Sequence, residues 1–342
     1  MKIITILIIY CLLPGSYLDE QLFLLETWEH GERITGRASF TMIDCDNCVI
    51  GTFYKDGNLI ITPKKIIQFA PQGQGPGELM DIMALFPYEE GIALVERPDV
   101  VKTFRKNEET YVYLKSIYFE RDPLPHFIKN GLYLNHKFFL AGMNILSMKK
   151  NHIKVSFLKV YDKDGKPIKD VLTEEFDKPN QFYRMDCFIL KKEPELLFLK
   201  ENVFEITIID PDNLKIIKKI ELTKPEFYKA MPDDFYAFKH NYTLDQFMSD
   251  IEKWKTSYSI ITKAIIESNN LIIQIRTCDE KLKKFALLFY DLKSYKLCRT
   301  LFIDDLLLGS KDGIYYFHSN GDPGLDPEAI KTTIKLYSFR KN

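Results

Sequence analysis

Six histidines and six cysteines are the side chains of this chain best suited to metal ligation or nucleophilic attack. The histidines are His30, His126, His136, His152, His240 and His318. No two of them have the i, i+4 spacing of a metal-binding helix, and the chain holds neither an HExxH nor a GxSxG run. Each therefore reads as a surface or packing residue. Cys45-Asp46-Asn47-Cys48 is a lone CxxC with no partner CxxC, no following histidine and no βαβ context. A zinc site needs further ligands, and a thioredoxin-like site needs a helix after its first cysteine. A local disulfide, or two thiols in a strand turn, fits better. Cys278 and Cys298 fall on nearby predicted strands and would pair if they lay opposite one another. Cys187 sits in an apolar strand and reads as core.

The glycine-rich stretch Gly73-Gln74-Gly75-Pro76-Gly77-Glu78 is the next candidate for chemistry. It is not GxGxxG, no GK[ST] follows, and no helix opens after it, so it does not cradle phosphate. Glycines at every second position around Pro76 break any regular element. The stretch reads as a tight turn of glycine-only torsions, joining the last strand of one sheet to the first of the next. Gly73, Gly75, Pro76 and Gly77 are its structural residues. Glu78 can satisfy backbone N–H groups of that turn, and it is one of three candidate ligand contacts, with Trp254 and Tyr258.

This turn carries a resemblance. A GxGPGE run after a strand, then an apolar strand and an acidic turn, resembles six-bladed β-propellers of the NHL-like and TolB-like kind, over roughly residues 40–340. The resemblance implies an exported bacterial protein, of a group whose functions are mostly unassigned. It also admits a lactonase-like alternative, a metal-dependent hydrolase or lyase holding Ca²⁺ in the central channel. Asp81, Asn135, Asp186 and Asp279 are the nominees for such ligands, and each can equally cap a turn. The acidic loop 322–328 reads as a solvated turn, with weak Ca²⁺ binding as the alternative.

What must position these residues is an all-β scaffold. The chain has 342 residues, of which 46% are hydrophobic, enough for a large core. Its 19 tyrosines and 25 phenylalanines favour pleated, half-buried surfaces, and a formal charge of -1 gives no field for nucleic acid. Strands at 49–54, 58–62 and 66–69 open the pattern, the first two flanking the hairpin turn Lys55-Asp56-Gly57. Four follow at 82–86, 91–95, 100–105 and 111–119. The next sets are 127–128, 132–141, 154–161 and 169–176; then 182–190, 195–200, 203–210 and 215–222; then 259–267, 271–276, 283–291 and 297–303. Strands at 306–308, 314–317 and 334–339 come last. A propeller closes its ring when an N-terminal strand completes the last blade, and 22–25 or 38–42 is suited to that. The grouping in fours and the glycine turn favour the propeller over two β-sandwiches.

Two segments depart from the repeat. Residues 1–16 have a basic start, an uncharged apolar run at 3–13 and a Pro14-Gly15-Ser16 end, which reads as a signal peptide. The run is too short for a membrane-spanning helix, so no span remains after cleavage. A lipid anchor on Cys11 is the alternative, opposed by Tyr10 where a small residue is expected. Residues 223–258 read as an insertion between blades. Thr243 and Gln246 form a capping box, and Leu244, Phe247, Met248, Ile251 and Trp254 recur at helical spacing. The expectation is a six-bladed β-propeller over 17–342 with this one helical insertion: an exported, monomeric, non-enzymatic binding or scaffold protein of the periplasm or cell surface. Its partner is a protein or small molecule at the ring mouth, and no cofactor is required.

Overall fold

A computed structural model describes residues 22–30, 38–44, 47–53, 57–97, 100–120, 126–149, 152–176, 186–230, 257–319 and 332–339. The segment 1–16 read as a signal peptide, Cys11, Cys45, residues 231–256 with the expected helix and Trp254, and the 322–328 loop lie outside these residues. The first described strand is β1 (Leu22–His30), and five complete sheets follow in turn. Blade I contains β2 (Ala38–Ile43), β3 (Val49–Phe53), β4 (Gly57–Ile61) and β5 (Ile66–Phe69). Blade II contains β6 (Ile82–Tyr88), β7 (Gly91–Glu96), β8 (Val100–Asn107) and β9 (Thr110–Tyr118). Blade III has β10 (His126–Leu134), β11 (Lys137–Lys149), β12 (His152–Asp162) and two short strands, β13 (Pro167–Asp170) and β14 (Thr173–Phe176), which both pair with β12. Blade IV contains β15 (Cys187–Lys192), β16 (Glu195–Lys200), β17 (Val203–Asp210) and β18 (Lys215–Glu221). Blade V contains β19 (Ile261–Glu267), β20 (Asn270–Arg276), β21 (Phe285–Asp291) and β22 (Leu297–Ile303). Blade VI contains β23 (Leu306–Lys311), β24 (Ile314–Ser319) and β25 (Thr332–Phe339), and is completed by β1, antiparallel to β25.

The first strand of each blade touches the first strand of the next, from β2 through β6, β10, β15, β19 and β23 back to β2. The protein is therefore a closed six-bladed β-propeller. Closure comes from β1, which covers the outer edge of β25. The other strand considered for that role from the sequence, around 38–42, is instead the innermost strand of blade I.

Each sheet is apolar on both faces, and one blade alone would leave both wet. The described core accordingly falls into six clusters, one at each blade junction. Ile50, Ile60 and Phe69 of blade I meet Leu85, Leu94 and Phe104 of blade II. Val95 and Phe86 of blade II meet Phe138 and Tyr161 of blade III. Blade III packs on IV through Phe157 and Phe198, IV on V through Phe204 and Leu288, and V on VI through Phe289 and Phe317. At the closing junction, Trp28 of β1 and Tyr316 join Val49, Phe53 and Ile61 of blade I, the two aromatic rings meeting edge-on at 5.8 Å. Burying an aliphatic or aromatic side chain contributes about 1.5–3 kcal/mol, so the ring stands on these junctions.

Three sequence expectations are corrected. The single strand expected at 132–141 is a hairpin whose turn residues, Asn135 and His136, have left-handed φ of 50° and 57°. Neither is glycine, which hides the turn, though Asn and His are among the residues most tolerant of that region. The strand expected at 169–176 is split into β13 and β14. Cys278 and Cys298 are free thiols, because β21 separates β20 from β22 and the two positions never lie opposite. Cys48 forms no disulfide, and its thiol donates to the Asp44 carboxylate at 3.9 Å. Cys187 is fully buried in the core, and burial raises its pKa well above the ordinary thiol value.

Candidate ligand site in the central channel

The glycine turn joins β5 to β6, the blade-to-blade passage expected from the sequence. Only one of its three alternating glycines needs a glycine torsion: Gly77, at φ 77°. Gly73 and Gly75 supply room instead. A Cβ on Gly73 would stand 2.0 Å from Glu78 Oε2, and one on Gly75 would stand 3.0 Å from it. Glu78 folds into that space and accepts the Gly75 N–H at 2.8 Å. The structure thus brings Glu78 into its own turn. Leu79 N donates to Pro71 O at 2.9 Å, and Lys102 donates to the Glu78 carbonyl.

The six inner strands enclose a cavity of about 660 Å³ along the ring axis. Its walls carry Phe40 and Met42 from β2, Ile82 from β6, Phe127 and Leu132 from β10, and Ile265 from β19. Asp81 and Asp186 immediately precede β6 and β15, so they mark the end of the channel where the inner strands begin. Each faces a cation. Arg97 Nε lies 3.2 Å from Asp81, and Lys129 Nζ lies 3.2 Å from Asp186. The Arg97 guanidinium also sits over the Phe127 ring, 5.6 Å from its centroid.

The connections between blades attach at this same end, because each blade is antiparallel and four strand positions wide, the fourth being split into β13 and β14 in blade III and filled by β1 in blade VI. The base of the 223–258 insertion is fixed there. Ser259 N donates to Lys229 O at 2.9 Å, and Lys229 N donates to Ser259 Oγ at 3.1 Å. Tyr258, half-buried at this base, has the Lys229 ammonium 5.3 Å from its ring centroid. The two ends of the insertion therefore leave and rejoin the ring side by side, near Glu201, whose carbonyl accepts Ile261 N at 2.9 Å.

Further along the channel stands Lys263, on β19. Its Nζ donates to Thr41 O at 2.9 Å and to Thr41 Oγ1 at 3.1 Å, while Thr41 Oγ1 donates to Leu308 O at 2.9 Å. One amine thus reaches from blade V past blade VI to blade I. Among the described residues no carboxylate pairs with it, since the lining acids Asp81 and Asp186 are already engaged. Burial lowers its pKa to about 8. An ammonium has three donors, and Thr41 takes two.

Solved structures that match nearly the whole chain include two from Bacteroides. One is a Bacteroides fragilis protein that bears the name of an exported protein: TM-score 0.60, 13% identity, covering 94% of this chain and 95% of that one. The other is a member of the DUF4221 family from Bacteroides vulgatus: TM-score 0.60, 12% identity, covering 94% and 98%. No family model matches the chain, and no curated protein matches it. At this identity the likeness concerns the fold.

Of the residues nominated from the sequence as channel ligands, Asp81 and Asp186 line the channel, and two do not. Asn135 Nδ2 donates to Asp212 in a neighbouring turn, and Asp279 accepts Lys281 N within its own turn. Among the described residues, no three His, Cys, Asp or Glu side chains converge as a metal site. None of the described helices is long and apolar enough to cross a membrane. Sequence reasoning missed Lys263 altogether. Its one sequence signal is a lysine in the middle of an apolar strand, Ile261–Glu267, that begins a blade.

Proposed function

We propose that this chain is an exported binding or scaffold protein that takes its ligand into the loop-bearing end of the propeller channel and performs no catalysis. The observation that carries this reading is the channel itself. Its 660 Å³ lie in the range of small-molecule sites, and its walls mix apolar side chains with polar and charged groups in comparable measure. The leader at 1–16 supports export to the periplasm or cell surface, as does the likeness to a Bacteroides protein named as exported. The GxGPGE turn supports a place beside NHL-like and TolB-like propellers. In this reading the protein works as a monomer, without nucleic acid and without a resident metal. A lactonase-like enzyme would ask for three or more inward carboxylates and amides at the channel, whereas Asp81 and Asp186 each face a cation.

The test uses a neutral apolar fluorophore, N-phenyl-1-naphthylamine. Saturable binding at one probe per chain, weakened several-fold when Ile265→Trp narrows the channel, is the expected result. Binding unaffected by Ile265→Trp would move the ligand away from the channel. Release of the full-length chain by osmotic shock of the expressing cell checks export.

A further inference from the structure

Among the described residues, one cation that lines the channel is given no acid. The other cations that line the cavity are each paired: Arg97 with Asp81, Lys129 with Asp186, and Lys191 with Glu193 at 2.5 Å. Lys263 differs. Its partners are a carbonyl and a hydroxyl of Thr41 on β2, both uncharged, and Met42 and Ile265 line the same cavity. A half-buried cation without an opposite charge is costly, and a protein normally supplies one. Here the space beside it is a cavity rather than packed side chains.

We infer that the channel is built for an organic acid, whose apolar body lies along Phe40, Met42 and Ile265 and whose acid group completes the ion pair with Lys263. This inference rests on the channel-binding reading above and adds the chemical class of the ligand. The third donor of the ammonium, left over by Thr41, makes the charge-assisted hydrogen bond. Size agrees: a body of one or two rings, or a medium-length acyl chain, fits 660 Å³ with water remaining. Thr41 acts as a positioning residue, because it fixes where the ammonium sits.

The experiment compares two probes with the same apolar body, 1-naphthaleneacetic acid and 1-naphthaleneacetamide, by calorimetry on the full chain at pH 7. The acid should bind at least about tenfold more tightly than the amide. Lys263→Met should bring the ratio to about one, and Lys263→Arg should keep a preference for the acid. Thermal melting of each variant establishes that it is folded, and Thr41→Val, which removes one hydrogen bond to the amine, should reduce the ratio without removing the cation. Equal binding of acid and amide to the parent, or a preference that survives Lys263→Met, overturns the inference. If N-phenyl-1-naphthylamine still binds in that case, the channel reading stands without the acid. If neither it nor either naphthalene probe binds, both readings fail.

Discussion

Lys102 Nζ lies 2.8 Å from Glu96 Oε2, and both side chains are less than one-tenth exposed. The pair does more than neutralise itself. Lys102 also donates to the carbonyl of Glu78, and Glu96 Oε1 accepts the N–H of Met80 at 2.5 Å. A buried ion pair in blade II thus clamps the end of the glycine turn that arrives from blade I. Removing one partner leaves the other charge buried and alone, which costs roughly 3–5 kcal/mol. Lys102→Met and Glu96→Gln should each lower the unfolding free energy by an amount of that order in urea. The double variant should lose less than the two single losses added. Additive losses would mean that the two side chains do not act as a unit.

Within the turn itself, room and torsion can be told apart. Gly73→Ala forces the Glu78 carboxylate out of its place and breaks its hydrogen bond to Gly75 N, a charged bond worth about 1.5–3 kcal/mol. In a Glu78→Ala background the same change should be nearly free. Gly77→Ala meets a positive φ of 77° and the Cβ of Tyr113 at 2.9 Å, so its cost, about 1–2 kcal/mol, should persist in either background. A double-mutant cycle by chemical denaturation reads both. Coupling between Gly77 and Glu78 as large as that between Gly73 and Glu78 would contradict the geometry.

The closing blade holds a pH-sensitive group. His318, on β24, is buried, and its Nδ1 has no hydrogen-bond partner among the described residues. Burial pulls its pKa from 6.5 down to about 4, against the opposing pull of Asp305. Between these two values the unfolded chain binds a proton that the folded chain refuses. Stability that is present above pH 6.5 is therefore lost as pH falls towards 4. His318→Gln should flatten that part of the profile relative to the parent. Measuring urea midpoints for both proteins at pH 7 and pH 4.5 checks it, because the carboxylates common to both cancel in the difference. Parallel profiles would show that His318 titrates normally.

The blades were legible because their strands are short apolar runs and their turns carry Gly, Asp and Asn at short range. Lys55-Asp56-Gly57 and Lys311-Asp312-Gly313 announce hairpins in the sequence, and β3–β4 and β23–β24 are found on either side of them. The turn at Asn135-His136 escaped, because two non-glycine residues take the left-handed conformation there and the flanking apolar runs merge. The pairing of Cys278 with Cys298 failed on strand order, which is a property of the whole sheet. Glu78 was readable as a turn-satisfying residue because its partner is three residues away. Lys263 was not readable at all: Thr41, which holds it, is 222 positions distant and becomes its neighbour only when the ring closes. A channel assembled from six separate strands leaves no local trace of which side chain stands alone within it.

That solitary amine makes a prediction of its own, independent of any ligand. With its pKa lowered from 10.5 to about 8, Lys263 gives up its proton in the folded protein at a pH where the unfolded chain keeps it. Below pH 8 the folded state carries the cost of a desolvated ammonium, and that cost fades as pH rises from 8 towards 10.5. Lys263→Met has no such cost at any pH. The parent should therefore gain unfolding free energy relative to Lys263→Met between pH 7 and pH 10. Lys129 and Lys191, the other lysines that line the channel, are present in both proteins, so the comparison isolates Lys263. A parent that instead loses ground to the variant over this range would mean that Lys263 is stabilised as a cation by an acid in the folded chain. The channel would then have no charge left to offer.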